Sequence, residues 1–381
     1  MRTRGCFALV GLLVVFQARA GDFLQRFTDP TDGWLDMSQF VLDHKGPLAV
    51  PIIITEPAVG YGGGAALVFI RQSLEEQAAK AKNNGGHVAP PDVFGVAAFA
   101  TENGSKGVAG GGQFTFRDDR FRYRGGVADL SLNLDFYGVG GSLPVPVGKI
   151  AYSLKGFASF QQGMMRLGEG DNFVGVRWIY LNLNSNLDVD TGATGLTPQQ
   201  FAERSSGIGL TFEHDSRDNI FTPSKGWLGA ADATYYDPSL GSDNHFETYR
   251  AHVFYYFPIT HALTLGLRAD GRLATGNVPF YMLPYIDLRG VTAGQFQNTH
   301  TVVVETEARY DFTSRWAAIA FVGDGRAWGE RKSFSDSDNE VAKGLGFRYL
   351  LARRLGLWAG MDYAWGPQDQ TFYIQIGNAW R

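Results

Sequence analysis

The chain has 381 residues, a formal net charge of −4, 49 glycines, 14% aromatic residues and one cysteine. The mild acidity argues against a general nucleic-acid binder, and a lone cysteine excludes an intrachain disulfide or a thiolate metal cluster. Past the N-terminus no stretch approaches the ~18 consecutive apolar residues that mark a spanning helix.

Residues 1–20, MRTRGCFALVGLLVVFQARA, read as a secretory signal peptide. Arg2 and Arg4 precede an apolar run at 6–16, and Ala18-Arg19-Ala20 is a small-x-small cleavage site. Cys6 follows Arg-Thr-Arg-Gly rather than an apolar run, which argues against a lipoprotein signal. Loss of residues 1–20 takes away three arginines, shifts the net charge from −4 to −7 and leaves no cysteine. Residues 21–48 hold a Pro/Asp/Gly turn region and then Phe40, Val41 and Leu42. They are too few for an independent domain and read as a short periplasmic segment or a plug. Residues 49–381 make the main unit.

An exported, glycine- and aromatic-rich chain without disulfides fits a soluble β-sandwich or an outer-membrane barrel. Periodicity separates them. In LSLNLDF, Leu130, Leu132, Leu134 and Phe136 oppose Ser131, Asn133 and Asp135. Residues 249–257 set Tyr249, Ala251, Val253, Tyr255 and Phe257 against Arg250 and His252. Residues 263–273 set Leu263, Leu265, Leu267, Ala269 and Leu273 against Arg268, Asp270 and Arg272. Residues 302–312 set Val302, Val304, Ala308, Tyr310 and Phe312 against Glu305, Glu307, Arg309 and Asp311. Such two-residue alternation means strands with one wet and one dry face. The runs reach the ~9–11 residues that cross a bilayer with tilt, longer than the ~5–6 of ordinary strands. Arginines and acids crowd the polar face, as in a barrel lumen. Trp227, Tyr235, Tyr236, Trp316, Trp328, Trp358 and Trp365 lie near strand ends, where interfacial girdles form.

Short connections at 102–107, 118–120, 258–261 and 313–315 and long ones at 72–93, 184–203, 275–300 and 329–340 predict turns at one end of a barrel and loops at the other. Some fifteen strand candidates and the even count usual for bacterial barrels predict about 16. The fold class is therefore all-β, a transmembrane antiparallel β-barrel.

HDSRDNIFTPSKGW, residues 214–227, gathers catalytic residue types. Nothing completes a triad for His214 and Ser216, and PSKG lacks phosphate-loop spacing. Turn chemistry suffices: Asp215, Arg217 and Asp218 satisfy local groups, Pro223 fixes φ and Gly226 lets the chain turn back. No His/Asp/Glu set shows ligand spacing, so no metal or cofactor is expected.

These stretches resemble the barrel of the BamA/TamA superfamily, the bacterial surface antigens, over residues ~50–381. GIGLTFEHDSRDNIFTPSKGW resembles that family's strand, Asp-x-Arg turn and Pro-x-x-Gly. DLRGVTAGQF (287–296) resembles its long loop with an Arg-Gly core. VETEARYDF and RWAAIAFVGDGRAWG resemble the two strands that follow. The resemblance implies an inward-folded lid loop at 275–300, with Arg289 and Gly290 at its core and Arg289 paired to lumenal acids. Glu307 matches the strand acid. Asp324 follows if Phe321 faces lipid, although FVGDG places it one residue later than the family's Phe-x-Asp-x-Gly. Glu305 is a third partner. Phe372, Ile374, Ile376 and Trp380 resemble the C-terminal signal by which such barrels are inserted by the barrel-assembly machinery, with Arg381 as a departure. The family's POTRA domains have no room in 21–48.

The function expected is transport or insertion of a polypeptide or lipid cargo at the outer membrane, among outer-membrane lipids, with no nucleic acid. The alternatives are a passive diffusion channel or a structural surface antigen and, behind them, a lipid hydrolase; an enzyme is not expected.

Overall fold

The computed structural model describes residues 27–44, 46–71, 90–139, 149–188, 199–329, 332–337 and 339–380. Residues 1–20, read above as a signal peptide, residues 72–89, the centre of the 184–203 connection and residues 330, 331 and 338 fall outside the described residues.

Alternation at a period of two produces sixteen strands, preceded by a short helix, α1 (Ser38–Asp43). The strands are β1 (Gly46–Ile54), β2 (Gly62–Ile70), β3 (Val93–Thr101), β4 (Lys106–Phe116), β5 (Phe121–Phe136), β6 (Ile150–Arg166), β7 (Asn172–Asp188) and β8 (Gln199–Asp215). They continue with β9 (Gly226–Tyr236), β10 (Phe246–Pro258), β11 (Leu263–Gly276), β12 (His300–Asp311), β13 (Trp316–Trp328), β14 (Glu340–Ala352), β15 (Leu357–Trp365) and β16 (Gln370–Ile376). Each pairs antiparallel with the next, in chain order. The sheet curls into a nearly closed barrel. In β13, Ala317, Ile319 and Phe321 are buried in the lumen while Val322 is exposed on the outer face.

The barrel has a seam. Among the described residues β1 and β16 are the two edges and no ladder joins them. In β1, Pro47 and Pro51 lie four residues apart, opposite Phe69 and Ala65 of β2. Proline in a paired strand turns its missing N–H to the free side, so this edge lacks two donors.

Strict strand order fixes which connections share an end. The β11–β12 loop lies at one end, here the lid end, with every other connection that follows an odd-numbered strand: β1–β2, β3–β4, β5–β6, β7–β8, β9–β10, β13–β14 and β15–β16. The other, the strap end, holds the rest. The short 102–107 turn thus shares the lid end with the long loops, and the long 72–93 connection shares the strap end with the short turns, contrary to the length-based expectation. Length is a statistical cue; parity of strand number is geometric.

Three other readings are corrected. The first strand starts at Gly46, not 49. Residues 27–44 do not plug the lumen but lie against the strap-end turns: Met37 N–H donates to the Leu351 carbonyl at 2.7 Å, and Arg315 binds Asp29, Asp32 and Asp36 at 2.5, 2.7 and 2.6 Å. Tyr236 and Trp358 are buried in the lumen rather than set in a girdle. The apolar face of 130–136 also turns toward the lid, with Phe136 and the lid residue Phe280 at a centroid distance of 5.2 Å. Strands β5–β8 run 16 or 17 residues, more than the ~9–11 a bilayer needs. At their lid ends Phe136 and Tyr152 pack inward on Phe280 of the lid.

Candidate functional site

The long β11–β12 connection, residues 277–299, folds into the barrel. Ile286, Leu288 and Val291 bury their side chains with Val303 of β12 and Ala342 of β14. This apolar anchor is what lets a polar loop descend into the lumen, because it removes apolar surface from water. Gly290 takes φ +94°, and its N–H donates to the Tyr373 hydroxyl at 3.0 Å. A Cβ there would stand 3.0 Å from the Gly366 nitrogen and 3.2 Å from the Ala364 side chain.

Gly290 sets its neighbour's aim. Arg289 is buried and lies 2.5 Å from Glu305, 2.7 Å from Glu307 and 2.9 Å from Asp362. The Glu307 contact is a charge pair rather than an aligned hydrogen bond. The guanidinium also sits 3.5 Å over the Phe321 ring, a cation–π contact strengthened by desolvation. That ring position decides the fate of Asp324. Phe321 is 5% exposed and faces the lumen, so Asp324, three residues on, faces outward and accepts from the Asn339 amide at 3.1 Å. The expected Arg289–Asp324 pair is absent because its premise, Phe321 toward lipid, is reversed. Asp362 of β15, which the sequence reading missed, takes the place. Its signal was present: in LWAGMDYAW it is the one acid, on the face opposite Tyr363.

The network extends both ways. Asp362 holds Arg348 of β14 at 2.6 Å. Glu305 lies 3.5 Å from Arg268, which reaches the lid's Asp287 at 3.1 Å. Asp287 also binds Arg272 at 2.7 Å, and Asp270 joins Arg250, Arg268 and Arg272 at 2.9, 3.0 and 3.1 Å. Five arginines thus face five acids along a continuous path from β10 through the lid to β14. Buried charges are tolerable only when paired in this way.

The lid tip reaches the seam. Thr292 Oγ1 donates to Asp369 at 3.3 Å and Gln295 Nε2 to Gln368 Oε1 at 2.7 Å, both in the β15–β16 connection. Ala293 N–H donates to Glu56 in the β1–β2 connection at 3.4 Å. One loop tip therefore bonds both edges of a sheet whose edges do not bond each other. Burial raises the Glu56 carboxyl above its ordinary value, helped by Asp287.

The C-terminus enters the site as well. Phe372, Ile374 and Ile376 alternate with Tyr373 along β16 as expected, but the strand stops at Ile376. Gly377 takes φ +79°, and Trp380 turns inward instead of extending the strand. It is buried against Phe254 and Tyr256, and its indole N–H donates to Glu305 at 3.0 Å.

The 216–225 turn is local chemistry with a wider reach. Asp215 pairs with Arg217 at 2.7 Å, and Asp218 accepts from the Ser224 and Lys225 amides at 2.9 and 3.1 Å. Pro223 lies within it, and Gly226 takes φ +93°, where a Cβ would collide with the Ser216 carbonyl. His214 stacks on Trp227 at 4.1 Å while Ser216 Oγ donates to the Trp227 carbonyl at 3.2 Å, so the two form no catalytic pair. Asn219 Nδ2 donates to the Leu355 carbonyl at 2.7 Å, carrying the β8–β9 turn across the mouth to the β14–β15 turn. Above it lies a chamber of about 570 Å³ lined by Arg124, Glu213, Asp232, Phe221 and Trp380. Ile220 of this turn and Gly377 and Asn378 of the C-terminal tail line it as well. Among the described residues no cluster of three His, Cys, Asp or Glu side chains could hold a metal ion.

The sequence profile described as the Omp85 superfamily domain matches residues 176–380. No match is found among curated proteins. Among solved structures, BamA from Haemophilus ducreyi lacking POTRA domains 1-3 is similar with a TM-score of 0.60 at 11% identity, over 88% of this chain and 70% of that one. CdiB from Escherichia coli is similar with a TM-score of 0.59 at 11% identity, over 86% of this chain and 61% of that one. CdiB from Acinetobacter baumannii has a TM-score of 0.55 at 12% identity, over 87% and 59%. The chain thus spans less than two thirds of either CdiB chain. At such identities the likeness is one of fold.

Proposed function

Because the chain belongs to the Omp85 superfamily, we propose that it works in the outer membrane as a translocation or assembly barrel, passing a polypeptide or lipid cargo when its lid loop moves. The observation that carries this reading is the lid tip at 292–295, bonded to the connections on both sides of an unpaired seam. Backbone edges facing hydrocarbon are costly. A loop that ties the two edges at one end and is itself held by ion pairs couples lid position to seam width. In this reading the lid end faces outward and the strap end faces the periplasm, and the C-terminal strand is read by the barrel-assembly machinery during insertion.

The test uses spin labels at Ile53→Cys of β1 and Phe372→Cys of β16, both near the lid end, in a Cys6→Ser background. A disulfide between Thr292→Cys and Asp369→Cys should hold their separation to one narrow distribution, and Arg289→Ala should broaden it. A seam distance indifferent to both changes would remove the proposal. A diffusion channel draws support from the charged chamber. It predicts steady ion conductance in planar bilayers that the lid crosslink leaves unaltered, whereas the gated barrel predicts low conductance until the lid is released.

A further inference from the structure

The strap, residues 27–44, is tied to the barrel by charge. Arg315, in the β12–β13 connection, is almost fully buried and receives Asp29, Asp32 and Asp36 at 2.5–2.7 Å. Arg353 adds a second contact to Asp29 at 2.6 Å. Inside the strap Phe27 packs on Phe40 at 5.2 Å. Against this compact, ion-paired knot two large apolar side chains stand out: Trp34 is 51% and Leu35 53% exposed.

Their position gives them a partner. Trp34 lies beside Tyr349 with tilted rings 6.5 Å apart, and the Tyr349 hydroxyl donates to the Leu35 carbonyl at 2.6 Å. Tyr349 lies on the outer face of β14, in contact with Trp316 at 5.0 Å, and Trp316 meets Phe347 at 6.1 Å. Tyr310 and Phe312, 52% and 53% exposed, continue the row at the same end of the barrel. This is an aromatic girdle at a water–lipid boundary, and Trp34 with Leu35 prolongs it off the barrel wall onto the strap. Asp29, Asp32 and Asp36 are paired to Arg315, and Arg353 joins Asp29, so two arginines offset part of the strap's negative charge.

We propose that Trp34 and Leu35 dock the strap onto the lipid leaflet at the strap end, making residues 27–44 an interfacial membrane anchor. The strap is the covalent lead into β1, while its knot holds the turns flanking β13–β15. The knot therefore ties the lead into one seam edge to turns beyond β15–β16 without any β1–β16 hydrogen bond, and lipid contact holds the same segment to the leaflet. Amphipathic side chains that lie in the boundary with their polar backbone turned to a protein surface are the general form of such anchors.

The experiment places an environment-sensitive dye at Trp34→Cys and, separately, at Leu35→Cys in the Cys6→Ser background, reconstituted in phosphatidylethanolamine–phosphatidylglycerol vesicles. Leu345→Cys on the outer face of β14 is the lipid reference and Glu169→Cys in the β6–β7 turn the water reference. The proposal expects brominated acyl chains to quench the two strap dyes about as well as the lipid reference, and iodide to quench them several-fold more weakly than the water reference. Iodide quenching equal to that of the water reference overturns it. So does shielding from both quenchers, which would mean that protein covers these residues. Failure of the lipid reference on β14 would indict the barrel reading instead, so the two failures are distinguishable.

Discussion

Arg289→Ala tests the lid most directly. The substitution leaves three acids, and their remaining partners differ. Asp362 keeps Arg348 through two bonds of 2.6 and 2.9 Å. Glu305 keeps Arg268 at 3.5 Å and the Trp380 indole at 3.0 Å. Glu307 loses its only ion-pair partner among the described residues. One uncompensated lumenal carboxylate out of three places the cost near the lower end of what breaking a buried pair costs, about 3 kcal/mol. That corresponds to roughly a hundredfold rise in the undocked lid population. The barrel itself, held by fifteen antiparallel ladders, should still insert and show the heat-dependent gel mobility of a folded barrel. The assay is hydrogen exchange and limited proteolysis of residues 284–296. Adding Glu307→Gln should return part of the protection, because it removes the orphaned charge. If Arg289→Ala leaves lid exchange unchanged, or Glu307→Gln worsens it further, the ion-pair account of lid docking is wrong.

Gly290→Ala should also loosen the lid, by about 1–2 kcal/mol, because a left-handed φ is strained for any side chain and the new methyl meets Gly366; the same exchange assay reads it. Trp380→Phe keeps the ring but leaves Glu305 without its indole donor, which should cost about 1.5–3 kcal/mol for a bond to a charged acceptor, seen as a lower unfolding temperature in detergent. The two ends of the seam should answer acid oppositely. The Asp29 carboxyl is held at about 2 by the Thr31 amide and by Arg353, against an ordinary 3.8. Arg315 lowers Asp32, and at Asp36 burial is outweighed by Ser38 and Arg315. Depressed carboxyls stabilise docking at neutral pH and lose that contribution as pH falls from 3.8 toward about 2. Glu56 is raised by burial above 4.5, so its contribution is full below 4.5 and fades as pH rises through the raised value. Anisotropy of a dye on Gln39→Cys should therefore hold to pH 4 and fall below it, while lid protection should increase from neutral pH toward 4.5; parallel responses would refute the assignment.

The barrel was legible because its cause is local and repeated. Residues 263–273 and 302–312 announce their lumenal charges one residue at a time, and the structure places Arg268, Asp270, Glu305 and Glu307 inward as the alternation requires. What was not legible depends on parity carried across a connection. Asp324 was placed inward only by assuming which way Phe321 points, and the alternation of β13 alone is consistent with both faces, since small residues fill each. Asp362 lies 73 positions from Arg289, and no local pattern joins them. Trp380 looked like the end of a strand because Gly377, one residue past Ile376, gives no sign in an alternating pattern that it will adopt a left-handed turn.

The same limit explains the strap. FTDPTDGWLDMSQF reads as a turn-rich leader, and its three aspartates look like solvated turn residues, each also bonding a nearby backbone N–H: Asp29 to Thr31, Asp32 to Trp34, Asp36 to Ser38. Only the fold adds Arg315, some 280 residues away, to all three. The turns pre-order the carboxylates before the arginine meets them, so little chain entropy remains to be lost on docking. At the lid end the arrangement inverts: a single arginine descends on a loop to acids already fixed on strands. The lid thus ties the connections beside both edges of the unpaired seam at one end, and the strap ties the lead into β1 at the other, neither of them a strand; under the proposed function a seam held in this way can part without breaking any ladder of the sheet.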